Sequence, residues 1–206
     1  MLRKRLKAHI SVFLVFSLVL ALPSLITAHK KSFPDSIEKG PWTSITNEGM
    51  VTISFELLQP MSGEVLYGPL PGEPKRFVRF NAEQVLHHVF LSGLRPETMY
   101  TYKIVLENGD QTPLGRFGTP PEHFVPFTFL VYGDTRTFYG RHTVVAERMA
   151  ADAAAFVVHT GDLVESPTRT DWAAFFSSGR SLLLSKLFFP VLGNHERNHF
   201  SYYRLF

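Results

Sequence analysis

Residues 51–57, Val-Thr-Ile-Ser-Phe-Glu-Leu, alternate apolar and polar positions with period two. That spacing predicts a strand with one face in a core. Residues 63–68, 77–80, 87–91 and 100–106 repeat the texture, separated by glycine, proline and asparagine. Asn108-Gly109-Asp110 reads as a hairpin turn, because Asn and Gly accept the positive φ that tight turns need. Short strands at this spacing, with no helical period between 41 and 121, predict a small β-sandwich. His87 and His88 fall on opposite faces of their strand and read as surface or strand-edge histidines, not a ligand pair.

Past Pro120-Pro121 the pattern changes. Residues 127–132, 156–160 and 187–192 are continuous apolar runs, as expected of strands buried on both faces. Between them lie two helical patterns. One spans 143–155, with Val144, Val145, Met149 and Ala153 toward one side. The other spans 171–186, with Asp171 as N-cap and Trp172, Phe175, Phe176 and Leu183 near one face. The order β-α-β-α-β predicts right-handed crossovers and a largely parallel sheet. His159, inside the second run, is expected as a hydrogen-bonded core histidine. The fold class is therefore mixed: an all-β sandwich over 41–121, then a partial α/β unit over 122–206.

The amino terminus changes the meaning of the charge. Arg3, Lys4, Arg5 and Lys7 precede an apolar run over 10–22 and small residues near Ala28, the layout of an export signal over 1–28. A polar linker over 29–40 follows. The chain carries +3, but without those four basic residues it has 17 Lys/Arg against 18 Asp/Glu, or −1. No basic excess points to nucleic acid as a partner. A secreted or periplasmic protein is expected, membrane-anchored only if the signal stays uncleaved. Cysteine is absent, so any metal site must use oxygen and imidazole donors.

Each of the three apolar runs ends in a glycine and a metal-competent residue: Gly133-Asp134, Gly161-Asp162 and Gly193-Asn194. Ligands of open α/β sheets bind beyond the carboxyl ends of the strands, so Asp134, Asp162 and Asn194 should meet at one edge. The glycines should relax the sharp turns and permit close backbone approach. Two carboxylates and an amide oxygen suit a cation, which removes the cost of holding like charges together.

Two resemblances sharpen the picture. Leu94-Arg95-Pro96-Glu97-Thr98-Met99-Tyr100-Thr101-Tyr102 resembles the fibronectin type III signature, which implies a corner hydrogen bond from the tyrosine after the Leu-x-Pro turn. Trp42 and Phe117-Gly118-Thr119-Pro120-Pro121 fit the same pattern. Gly133-Asp134-Thr135-Arg136, Gly161-Asp162-Leu163-Val164 and Gly193-Asn194-His195-Glu196 resemble the three leading motifs of calcineurin-like metallophosphoesterases, among them the purple acid phosphatases. That resemblance implies two metal ions (Fe, Mn or Zn), with Asp134 on the first, Asp162 bridging and Asn194 on the second. It also implies that His195 contacts the phosphoryl group or the leaving group and that Glu196 holds supporting hydrogen bonds. Where many members have a histidine, this chain has Arg136, a candidate phosphate clamp or a partner for a nearby carboxylate. Where the purple enzymes have a ligating tyrosine it has Glu165, either a replacement ligand or a solvent-exposed or salt-bridged carboxylate. No tyrosinate colour is therefore expected.

The resemblance also implies later histidine motifs, which do not follow His199. The aromatic ending 202–206 reads as an interrupted chain, inactive alone. The expected function is an exported phosphoesterase that hydrolyses phosphomonoesters or phosphodiesters by a metal-bound hydroxide. The alternative is a non-catalytic surface-binding protein that uses its fibronectin-like domain.

Overall fold

The computed structural model describes residues 33–46 and 49–206; the expected export signal lies outside them. The described chain is mostly β-sheet with few helices. Its first part runs β1 (Ile37–Ile45), β2 (Val51–Leu57), β3 (Gly63–Pro69), β4 (Arg76–Phe80), β5 (Leu86–Leu91), β6 (Met99–Leu106) and β7 (Gly115–Gly118). The remainder runs β8 (Phe129–Tyr132), α1 (Tyr139–Ala151), β9 (Phe156–His159), α2 (Arg169–Ser178), α3 (Arg180–Leu183), β10 (Leu187–Pro190) and α4 (Phe200–Leu205).

One sheet has the order β4-β3-β6-β7, all antiparallel. It packs against β1, β2 and β5 through a core that includes Val51, Ile53, Phe55, Tyr100, Tyr102 and Phe117. The second sheet is longer, in the order β5-β2-β1-β10-β9-β8. β1 pairs parallel with β10 at Thr43↔Leu187, and β10, β9 and β8 are parallel neighbours. The sandwich and the α/β segment thus share one continuous sheet. A second core holds Trp42, Val157, Trp172, Phe175, Phe176, Leu182 and Phe188.

Several elements depart from the sequence pattern, each for a physical reason. Strand β1 begins at Ile37, inside the stretch expected as linker. Its polar character is misleading because Lys39 is buried, with its ammonium 2.5 Å from Glu56 and 2.9 Å from Glu38. Arg204 closes on Glu56 at 2.6 Å and Arg169 on Glu38 at 2.7 Å, so these charges are paired. The polar positions of β2 are buried too: Thr52, Ser54 and Glu56 face inward opposite Val51, Ile53 and Phe55.

β5 is the edge strand of its sheet, as expected, but His87 is buried there and not at the surface. It stacks on Phe55 with ring centroids 5.1 Å apart, while His88 on the other face bonds the Ser54 hydroxyl at 2.8 Å. Tyr100 makes the corner contact, its hydroxyl accepting the Arg95 N–H at 2.8 Å.

Helix α1 starts four residues earlier than the pattern predicts, and Val144 and Val145 are exposed. Its inward face is His142 and Ala146. A buried histidine carried that face, and hydropathy alone pointed away from it. Helix α2 is capped by Thr168, not Asp171. The Thr168 hydroxyl accepts the Asp171 N–H at 3.1 Å, and the Asp171 carboxylate accepts the Ser166 N–H at 3.1 Å. The helix stops at Gly179 and resumes as α3, so the continuous helix expected to residue 186 is two pieces. β8 and β10 are each two residues shorter than their apolar runs, ending or beginning where the chain turns away from the ladder.

Candidate metal centre

The three motifs follow β8, β9 and β10, which are adjacent and parallel, so their carboxyl ends lie side by side. The turns are made differently from expectation. The aspartates themselves take the left-handed conformation, with φ of 55° at Asp134 and 56° at Asp162. Asp tolerates this region better than most residues, at a cost of about 1–2 kcal/mol each. The glycines serve chiefly for close approach. A Cβ on Gly193 would lie 2.2 Å from both the backbone nitrogen and Oδ1 of Asp162. Gly161 does both jobs, with φ of 103° and the Gly193 Cα 2.8 Å from where its Cβ would stand.

Backbone hydrogen bonds lace the first two loops together. The Asp134 N–H donates to the Gly161 carbonyl at 3.0 Å, and the Thr135 N–H to the Asp162 carbonyl at 3.1 Å. Beneath them His159, fully buried, accepts the Gly161 N–H on Nδ1 at 3.3 Å. Its Nε2 must then carry the proton, donated to the Thr135 hydroxyl at 3.0 Å. That hydroxyl donates onward to the Leu163 carbonyl at 3.2 Å. Burial pulls the His159 pKa down to about 3, which keeps the ring neutral in this relay. His159 has the core role expected of it, but the Thr135 bridge between loops was not legible. The signal available was Thr135's position directly after Asp134.

Glu196 ties the second loop to the third. Its carboxylate is fully buried and accepts four backbone N–H groups. Oε2 takes those of Gly193 at 2.7 Å and Asp162 at 3.1 Å; Oε1 takes those of Leu163 at 2.7 Å and Val164 at 3.1 Å. The His195 N–H donates to Asp162 Oδ1 at 3.0 Å. His195 Nδ1 is 2.9 Å from the Glu165 carbonyl, which can only accept. Nδ1 therefore carries the proton, and Nε2 remains the basic nitrogen. Asn194 is exposed, and its backbone carbonyl accepts the Arg197 N–H at 3.2 Å. His199 caps α4 through Ser201 and takes no part.

Arg136 reaches across the centre. Its Nη1 lies 2.7 Å from Asp162 Oδ2, and its Nε lies 3.3 Å from Asp134 Oδ1 and 3.7 Å from Glu165 Oε2. Glu165 also accepts the Thr137 hydroxyl at 2.7 Å. Of the two roles open to Arg136, the structure displays the carboxylate pairing. Among the described residues, no group of three or more His, Cys, Asp or Glu side chains could hold a metal ion. The Asp134–Asp162 pair fits an oxygen-preferring cation in donor type, since both carboxylates already converge on one cationic group.

Comparison with known proteins adds to this geometry. No family model matches the chain. It is 27% identical over 144 residues to two uncharacterized proteins of Mycobacterium tuberculosis, MT2654 of strain CDC 1551 / Oshkosh and Rv2577 of strain H37Rv. The match covers 59% of this chain and 26% of each relative, so the chain spans about a quarter of their length. Among solved structures it is similar to the purple acid phosphatase PPD1 from yellow lupin (Lupinus luteus) seeds, with a TM-score of 0.60 and 17% identity. That likeness covers 76% of this chain and 35% of the lupin chain. The fold is purple acid phosphatase-like. At this identity the likeness is one of fold alone.

Proposed function

We propose that this chain supplies part of an exported, metal-dependent phosphoesterase acting on phosphomonoesters or phosphodiesters. In this reading β1–β7 form a fibronectin III-like domain, and β8 onward begins a calcineurin-like metallophosphoesterase domain. The observation that supports it best is the meeting of Asp134, Asp162 and His195 beyond three adjacent parallel strands. The purple acid phosphatase-like fold agrees with it.

Asp134 and Asp162 would hold a first ion, and Asp162 with Asn194 a second. When bound, such ions supply charge neutralisation at phosphorus and acidify water. Glu196 fixes the backbone of the second and third loops, so the ligands are placed before substrate arrives. His195, with its proton on Nδ1, presents Nε2 as the group that exchanges a proton with the leaving oxygen. Phosphate esters are the substrate class because carboxylate-held cations and an imidazole complement a charged phosphoryl group.

The test is hydrolysis of p-nitrophenyl phosphate and bis-p-nitrophenyl phosphate by the protein from its complete gene, with Mn, Zn or Fe added. Activity should be lost on chelation and fall at least about a thousandfold in Asp162→Ala, as removal of a central charge-stabilising group does. Full activity in Asp162→Ala would sink the reading.

A further inference from the structure

We propose that Arg136 is a resident cation of this centre and competes with metal for Asp134 and Asp162. The inference rests on the metal-dependent reading given above and adds how access to that site is controlled. Three carboxylates surround one guanidinium: Asp162 at 2.7 Å, Asp134 at 3.3 Å and Glu165 at 3.7 Å. The guanidinium is largely covered, its side chain 27% exposed, and Asp162 is 17% exposed. Arginine suits the position because its planar fork engages two carboxylates at once, which a lysine ammonium does with less geometric control.

The competition follows from space and charge. Metal–carboxylate bonds are about 2.0–2.2 Å long. An ion that close to Asp162 Oδ2 would lie within about 5 Å of the Arg136 Nη1, two cations sharing one carboxylate oxygen and repelling each other. Asp162 Oδ1 is already engaged, accepting the His195 N–H at 3.0 Å, so Oδ2 is the less encumbered oxygen for an ion. An ion held by both Asp134 and Asp162 therefore binds best once Arg136 has withdrawn from them. Apparent affinity falls by the fraction of molecules in which it has left, so a state populated at about one tenth costs about tenfold. The chain holds Arg136 in place by its own geometry. Asp134 at φ 55° turns the loop back, and Thr137 holds Glu165 beside the guanidinium.

Calorimetric titration of Mn2+ into the 206-residue chain and its Arg136→Gln variant tests the proposal. Arg136→Gln should bind Mn2+ at least tenfold more tightly, and adding Asp162→Asn should abolish the gain. Equal or weaker binding by Arg136→Gln overturns the proposal. If both bind equally and Asp162→Asn abolishes both, the metal reading stands and only the competition fails. If neither binds, both fail. A gain that survives Asp162→Asn places the ion elsewhere and also overturns the proposal. A measurement on the unaltered chain guards against misfolding of the variant. The Arg136 Nη1–H resonance, hydrogen-bonded to Asp162 Oδ2, should be lost as Zn2+ saturates the site, and its persistence at saturation overturns the proposal.

Discussion

Glu196 accepts four backbone N–H groups from two loops while fully buried. Hydrogen bonds to a charged group each contribute about 1.5–3 kcal/mol, and each donor left bare in the interior costs about 1–3 kcal/mol. Glu196→Ala should therefore lower stability by about 3–5 kcal/mol, a large share of what a domain of this size holds. Urea unfolding checks it, and a loss under 1 kcal/mol would show that the loops are held by other bonds. Glu196→Gln should fall between the two, because its amide NH2 turns a donor toward backbone donors. At the same scale, the turn-forming aspartates carry a strain that the neighbouring glycines were expected to relieve. Positive φ at Asp134 and Asp162 is paid for by the backbone bonds between their loops.

Among the elements, α1 shows how a buried polar group can govern a helix's docking. His142 Nδ1 bonds the Ser178 hydroxyl at 2.8 Å, which donates to the Phe175 carbonyl at 3.0 Å. His142 Nε2 faces the Tyr132 hydroxyl at 3.4 Å. The ring thereby links α1 to α2 and β8. Burial lowers its pKa to about 4 from an ordinary 6.5, and lowers that of His159 to about 3. Both rings are neutral when folded, whereas the unfolded chain takes up protons below about pH 6.5. Their stabilisation is thus complete above pH 6.5 and is lost progressively as pH falls toward 4. At about 1.4 kcal/mol per pH unit for one group, His142 should account for about 2.5 kcal/mol of loss by pH 4.5. His142→Gln should flatten the fall in unfolding free energy between neutral pH and pH 4.5 by that amount. An unchanged slope would mean that His142 does not titrate on unfolding.

At the scale of the whole molecule, β1 joins the two halves. Its Ile37 belongs to the sandwich core and its Trp42 to the helix-covered core, where Trp42 packs at a tilt against Phe176 with centroids 4.6 Å apart. Strands β2–β6 and β8–β10, the parallel order of β8, β9 and β10, and the meeting of the three motifs could be read from alternation, apolar runs and glycine spacing, whereas β1 and β7 could not. The β1–β10 pairing could not, because a register between strands some 140 residues apart leaves no local trace. Nor could the inward polar face of β2, since Glu56 is buried only by virtue of Lys39 and Arg204. Arg136 was legible as a departure in type, but its partners depend on a backbone turn at Asp134 that the motif does not announce.

The central claim is that Asp134, Asp162 and the loop carrying Asn194 form one cation-binding centre. Paramagnetic broadening by Mn2+ in an amide NMR spectrum of the chain tests it most directly. Amides of 133–136, 161–164 and 193–196 should broaden first, and Asp162→Ala should remove the effect. Broadening that begins elsewhere, or that is unchanged in Asp162→Ala, would contradict the account.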